Sequence, residues 1–499
     1  MPRPSQAQCP KRRYPLGNRS CMQNRQMPPA PVDSAAHPAR GGHEVAVLGV
    51  GIVGAMVALA LLRDGHRVTL IEPGEPGGEQ AASFGNGAWI SPGSVVPMST
   101  PGLWKKLPGY LSDRSGPLVI RWSALPGLLP WLLRFWWAGH SVPRVEATAR
   151  ALSALLRDAP ARHLRAAALA GVTAWVVQRG LLYLYPDRAA FEAEALAWRL
   201  RRDNGVQAQE LDGAALRALV PDVDARYGLG LLVAAGAHCL DPGGYVAALV
   251  QQAQSGGARL VRARALGFAF GSGPQGSRLT AVHTTSGDVA CGRAVICAGI
   301  ASAALARQAG DRIPLASERG YHVVWTDAPV QLGLPVMPSD GKMALTPTRG
   351  GLRVAGQVEL AAVSAPPDWR RADLLTRFAQ QMFPALRSGP RPDPGAAAAT
   401  PLSAENHAAS AAVSAAVYAV EFAAASATPP ASRWMGHRPS TPDGLPVIGP
   451  SARHPDILHA FGHGHVGLAA APATAELVAD LLAGRSPAID PRPYRASRF

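Results

Sequence analysis

Lysine is scarce in this 499-residue chain, occurring only at Lys11, Lys105, Lys106 and Lys342, so the net charge of +15 is carried by arginine. A nucleic-acid-binding surface gathers its basic residues on one face or stripe. Here seven Lys or Arg against the single acid Asp33 place +6 of the charge in the Pro-rich residues 1–43, and the remainder is dispersed. The charge therefore argues against nucleic acid as a partner. The cysteines are few as well: Cys9, Cys21, Cys239, Cys291 and Cys297 form no C-x-x-C pair, and no histidines cluster at metal-ligand spacing. That pattern excludes a disulfide scaffold and gives no zinc or iron–sulfur site, so no metal is expected. Long apolar runs are missing too. "GIVGAMVALALL" and "AVICAGIASAALA" fall short of the roughly 18 residues that span a bilayer. Residues 1–43 contain no apolar signal-peptide core, which points to the cytoplasm.

What is present is enough apolar sequence, 47% of residues, to bury a large core in two domains. Residues 1–43 read as a disordered basic tail. Residues 388–431, Ala-rich and bounded by prolines, read as an inserted loop. Elsewhere strand-like runs such as "HRVTLIE", "RAVICAGI" and "LPVIGP" alternate with helical ones, the pattern of an α/β protein.

The most informative turn is "GVGIVG", residues 49–54, between the strand-like "EVAVL" and the helix-like "AMVALALLRDG". Gly49 permits the tight turn, Gly51 lets a pyrophosphate approach the backbone, and Gly54 lets the helix pack closely. Ile52 and Val53 lie at the helix N-terminus, whose free N–H groups and dipole stabilise phosphate charge. Glu72, about 20 residues downstream at the end of the next strand, suits ribose hydroxyls and repels a 2′-phosphate. A dinucleotide is expected, and NADP is disfavoured. The next strand-and-glycine element, "AVICAG", lies more than two hundred residues on, which implies a discontinuous binding domain. "ILHAFGHGHVGLAAAP" near the C-terminus reads as strand, glycine turn and helix, and a helix N-terminus there favours a flavin ring over nicotinamide.

Together, "SFGNGAWISPGS", "RGLLYLY", "ICAGIAS", "ERGYHV", "GGLRVAGQVEL", "RWMGHRPSTPDGLPVIG" and "GHGHVGL" resemble the D-amino-acid oxidase superfamily of FAD enzymes, its bacterial dehydrogenase branch in particular. The resemblance covers most of residues 44–387 and 432–490. It implies a Rossmann-like FAD domain (44–97, 236–314 and 432–499) with a mixed-sheet, α+β substrate domain (98–235 and 315–387). It also implies oxidation of a small-molecule D-amino acid to a 2-oxo acid and ammonia, with electrons passing to a quinone or other carrier. By resemblance, Ser83, Gly85 and Asn86 run close to the flavin, and Ala298 and Gly299 close to its diphosphate or ribose. His463, Gly464, His465, Val466, Gly467 and Leu468 follow the pyrimidine side. Arg438 is the expected carboxylate anchor, since guanidinium binds carboxylate bidentately; an ion pair with Asp443 is the alternative reading of it. Arg319, Tyr321 and His322 are expected on the pocket wall, with core packing as the alternative. With no Cys after Cys297 and no His between His66 and His140, noncovalent FAD is expected.

Residues 103–137 interleave Trp104, Trp122, Trp131, Trp136 and Trp137 with Lys105, Lys106, Arg121 and Arg134. That composition suits a membrane–water interface, hence peripheral contact with the inner face of the plasma membrane, or alternatively a domain core lining the substrate cavity. The competing functions are an oxygen-using glycine- or sarcosine-type amine oxidase and a non-catalytic flavin-binding subunit.

Overall fold

The computed structural model describes residues 42–103, 116, 118–273, 276–387 and 430–499. The tail 1–43 and the insertion 388–431 lie almost wholly outside these residues. β1, Glu44–Leu48, is buried at every position after the first and runs parallel to β2, Arg67–Ile71, and to Arg293–Ile296. Parallel neighbours cannot be joined by a tight hairpin. The helix α1, Ile52–Arg63, supplies the crossover from β1 to β2. The six-stranded sheet runs Arg259–Val261, β2, β1, Arg293–Ile296, Ile457–Phe461 and Val447–Pro450, with only the last strand antiparallel.

The small residues of α1 explain its second layer. Ala55 and Ala58 are fully buried, and α1 packs against the helix Gly467–Leu482, whose Ala470, Ala471 and Ala473 are buried in turn. Alanine on both surfaces lets the two helices approach closely while still burying apolar area at roughly 25 cal/mol per Å².

A nine-stranded mixed sheet forms the second layer system. Its order is Ser432–Ser440, Ala316–Trp325, Gly351–Leu360, Ala344–Thr348, Val336–Pro338, Leu181–Tyr185, Leu229–Val233 and Gln209–Asp212, with Leu118–Ile120 paired beside Gly351–Leu360. The domain boundary expected at 432 is displaced: Ser432–Ser440 pairs along its whole length with Ala316–Trp325 and belongs to this sheet. All ten residues of Ala316–Trp325 are buried. One face places Tyr321, Val323 and Trp325 in a core with Val354, Leu375 and Phe383. The other face turns Glu318 and Gly320 toward a cavity.

The helix Leu125–Gly139 is apolar on two sides. Trp131 is buried, stacks on Phe135 at 5.1 Å and donates from Nε1 to the Ser440 carbonyl at 3.1 Å. Trp122, Leu129, Leu133, Trp136 and Trp137 are each at least 48% exposed. Trp104, Lys105 and Lys106 lie outside the described residues. No helix among the described residues is long and apolar enough to cross a membrane.

Candidate functional site

One cavity of about 1100 Å³ extends from the glycine turn after β1 to the second sheet. Three residues other than glycine have positive φ among the described residues, Ala88 (60°), Lys342 (47°) and Gln357 (63°), and all three line it. Such backbone costs about 1–3 kcal/mol per residue and collects at functional sites.

At the β1 end, Gly49 has φ of 90° and a Cβ there would overlap Ala298; a Cβ on Gly54 would overlap the Gly49 carbonyl. A Cβ on Gly51 would meet only the Ser83 hydroxyl, at 3.1 Å, so the rest of its surroundings is open. Ser83 Oγ accepts from the Ile52 amide at 3.0 Å. The amides of Val53 and Gly54 belong to the first helical turn, where no intrahelical acceptor exists. Glu72 accepts from the Val50 amide at 2.8 Å and the Gly74 amide at 3.3 Å. It therefore braces the turn as well as lining the cavity. A cradle that side chains would fill, open helix amides and a carboxylate at the end of β2 fit the adenosine diphosphate half of FAD. Ala298 and Gly299, the latter with φ of 55°, face the same space.

The segment Ser83–Ala88 carries the cavity wall onward. Asn86 shapes it from within, donating to the Ser83 carbonyl at 2.7 Å and accepting from the Ala88 amide at 2.6 Å. Gly85 lies flat against the Trp434 indole, where a Cβ would overlap the ring. Opposite runs the turn 462–468. The Gly464 amide donates to the Pro439 carbonyl at 2.9 Å, and the helix beginning at Gly467 points its N-terminus into the cavity. His463 is buried, its Nε2 bonded to Thr474 Oγ1 at 2.9 Å, and burial lowers its pKa to about 3. It is a neutral strut. His465 lines the cavity, and its Nε2 meets Glu318 Oε2 at 2.6 Å.

Arg438 reaches the cavity from Ser432–Ser440. Its guanidinium lies over Gly320 on the adjacent strand, in the space a Cβ would take, and Nη1 donates to the Gln357 carbonyl at 2.9 Å. The positive φ of Gln357 accompanies a break in register between Ala316–Trp325 and Gly351–Leu360. Gln357 Oε1 also accepts from Arg371 at 3.0 Å. Asp443 does not pair with Arg438; its carboxylate takes Arg498 at 2.7 and 3.2 Å. Glu318, in register opposite Arg438, is buried. Burial works to raise its pKa, but His465, Arg438 and Ser440 together hold it below the usual carboxylate range. Burial lowers the pKa of Arg438, and Glu318 opposes that fall.

The other residues expected on the wall are placed elsewhere. Tyr321 faces the core, donating to Glu359 at 2.6 Å and accepting from the Asp368 amide at 3.0 Å; burial, then Glu359, push its pKa up to about 12. Arg319, on the same face, donates from Nη1 and Nη2 to the carbonyls of Pro366, Ala362, Val363 and Ala365. Both lash the loop after Gly351–Leu360 to the sheet. His322 lies on the cavity side of the strand but beneath its wall: Nδ1 meets the Gly85 carbonyl at 3.1 Å and the ring stacks on Trp434 at 5.1 Å. Burial lowers its pKa to about 4. Glu318, Gly320 and Gln357 were missed in the sequence, although the first two stand in the quoted "ERGYHV". A glycine directly after a Glu-Arg pair in a strand was the available signal.

The chain matches the family described as DAO, FAD dependent oxidoreductase, over residues 44–410 and 389–481. It is 44% identical over 458 residues to a protein named D-amino-acid oxidase from Bradyrhizobium diazoefficiens, covering 92% of this chain and 99% of that one. It is 32% identical to a protein named D-amino acid dehydrogenase 2 from Ralstonia nicotianae, covering 91% of this chain and 100% of that one. Among solved structures, glycine oxidase from Geobacillus kaustophilus aligns with a TM-score of 0.61 at 21% identity, over 92% of this chain and 99% of that one. L-proline dehydrogenase from P. horikoshii aligns with a TM-score of 0.65 at 18% identity, over 92% and 98%. At those identities the likeness concerns the fold.

Proposed function

We propose, from the premise that this chain belongs to the DAO family of FAD-dependent oxidoreductases, that it oxidises D-amino acids to 2-oxo acids and ammonia. The observation that carries this reading is Arg438, set in the cavity with one nitrogen fixed by the Gln357 carbonyl and no hydrogen bond from the rest of its guanidinium to the described residues. A positioned guanidinium with spare in-plane donors is suited to bidentate capture of a carboxylate. The names of both sequence relatives support the D-series. Bound noncovalently, FAD supplies the acceptor for the hydride of the substrate Cα–H bond. The chain supplies orientation: Arg438 fixes the carboxylate, while Ile120, Trp131, Phe135 and Leu360 give that region an apolar lining. The test is to supply D- and L-amino acids with an artificial electron acceptor and quantify 2-oxo acid and ammonia. Product from D-isomers alone supports the reading; product from L-isomers, or none, overturns it.

For the electrons we favour a quinone or other carrier at a membrane surface. The exposed Trp122, Leu129, Leu133, Trp136 and Trp137 support this, because aromatic and apolar side chains beside Arg134 and Arg144 suit an anionic lipid interface. Sedimentation with anionic vesicles, weakened when Trp136 and Trp137 are replaced by Ser, is the expected result, and indifference to vesicles counts against it. The name of the 44%-identical relative favours oxygen as acceptor instead. Stoichiometric hydrogen peroxide in air selects that second reading.

A further inference from the structure

A D-amino acid enters at neutral pH as a zwitterion. Its nitrogen must lose a proton before its lone pair can expel hydride from Cα, and Arg438 answers only the carboxylate. Four proton acceptors line the cavity around Arg438, namely His463, His437, Glu318 and His465, and they differ in access and in support. His463 has its Nε2 on Thr474 and is sealed from solvent. His437 has its Nδ1 on Ser317 Oγ at 2.8 Å, and burial, then the charge of Arg319, lower its pKa, with no carboxylate among the described residues bonded behind the ring. Glu318 is buried, with one carboxylate oxygen already on His465. His465 alone combines a partly exposed ring, 34% accessible and lining the cavity, with a buried carboxylate behind it. Its Nδ1 makes no hydrogen bond among the described residues. The Nε2–Glu318 bond leaves the Nδ1 lone pair free in the neutral ring and balances the charge of the protonated one, as a carboxylate behind a general-base histidine does.

Resting on the proposed function, we propose that His465, held by Glu318, accepts the ammonium proton of the bound D-amino acid. One N–H bond of the substrate breaks and an Nδ1–H bond forms on His465. FAD, which the segment Ser83–Ala88 and the turn 462–468 would hold, would supply the acceptor for the Cα hydride, and the nitrogen lone pair freed by His465 would close the C=N bond of a protonated imine as the Cα–H bond breaks. The proton on His465 leaves to water when product departs. His465 is the catalytic residue of this step, and Glu318 is a positioning residue. The charged and titratable groups facing the dyad are Arg438 from Ser432–Ser440 and His463 from the same turn. Glu318, held in its ionised form by its neighbours, is the counter-charge that the protonated ring needs.

The test is the pH dependence of anaerobic flavin reduction by a D-amino acid in the wild type, His465→Gln and Glu318→Gln. General-base assistance contributes roughly 10²–10⁴-fold. H465Q is expected to reduce at least a hundredfold more slowly at pH 7 and to recover as pH rises through the pKa of the substrate's own amine. Added imidazole is expected to restore part of the rate to His465→Gly. E318Q is expected to displace the acidic limb of the profile without abolishing it. A binding measurement needs no turnover: 2-aminoisobutyrate, which lacks the α-hydrogen, is expected to lose affinity for the wild type at low pH and to show no such limb with H465Q. Benzoate, which lacks an amine, is expected to bind both alike. A wild-type pH profile in H465Q, with the binding limb intact, overturns the assignment of His465. If H465Q does not retain FAD, an unchanged profile in E318Q overturns the dyad instead. Failure of every D-amino acid to reduce the wild-type flavin overturns the functional reading itself, and this inference with it.

Discussion

Two arginines on neighbouring strands, Arg319 and Arg438, answer different demands. Arg319 is fully buried, and its terminal nitrogens are taken by four backbone carbonyls, with Glu359 at 3.6 Å. Arg438 has one carbonyl, that of Gln357, and a face open to the cavity. The first has spent its terminal donors on holding a loop, so its removal should be felt in stability. The second keeps donors in reserve, so its removal should be felt in binding. Charge and residue type do not separate the two; the number of occupied donors does.

The comparison is sharpened most by Arg438→Met. Losing two charge-assisted hydrogen bonds costs about 3–6 kcal/mol, so kcat/KM for D-amino acids is expected to fall by at least about a hundredfold. FAD content, read from the flavin absorbance, is expected to stay unchanged. Arg319→Met is the converse. It leaves Glu359 buried with Arg121 as its remaining ion-pair partner, and breaking such a buried pair costs about 3–5 kcal/mol. Denaturant unfolding is expected to show that loss, with KM of the surviving enzyme near wild type.

Gly320→Ala tests the contact between the two strands. Its Cβ pushes into the Arg438 guanidinium, and KM is expected to rise roughly tenfold, the equivalent of about 1.4 kcal/mol. An unchanged KM would mean that Arg438 binds from another rotamer.

The effect of acid is the most gradual, since it is spread over several pH units. Burial lowers the pKa of His163, His238 and His322 to about 4 and that of His463 to about 3, from an ordinary 6.5. Between these values and 6.5 the unfolded chain binds the protons that the folded chain refuses. The stability from these neutral histidines is therefore complete above pH 6.5 and is lost as pH falls toward 4, at up to about 1.4 kcal/mol per pH unit for each group. Replacing His463 by Gln is expected to flatten that slope by one proton in a urea-unfolding series.

The β1–glycine–α1 unit was legible because its residues are neighbours in sequence and the physics is local: a tight turn, close packing at Gly54 and a carboxylate at the end of β2. The turn 462–468 was legible for the same reason. The substrate wall was not. Alternation normally reveals which strand residues share a face, but Ala316–Trp325 is buried on both faces. Reading "ERGYHV" therefore selected Arg319 and Tyr321, on the core face, in place of Glu318 and Gly320. Nor could the sequence show that His465 finds its carboxylate 147 positions earlier. Gln357 was hidden for another reason: its value to Arg438 lies in a backbone carbonyl turned by positive φ, which no side chain signals.

The measurement that bears most directly on the whole account is an anaerobic titration of the purified, flavin-loaded protein with paired D- and L-amino acids, followed in the flavin absorbance. The account predicts bleaching by D-isomers only, and its near-complete loss at the same concentrations in Arg438→Met. Persistent yellow colour with every amino acid, or equal bleaching by wild type and R438M, would contradict it.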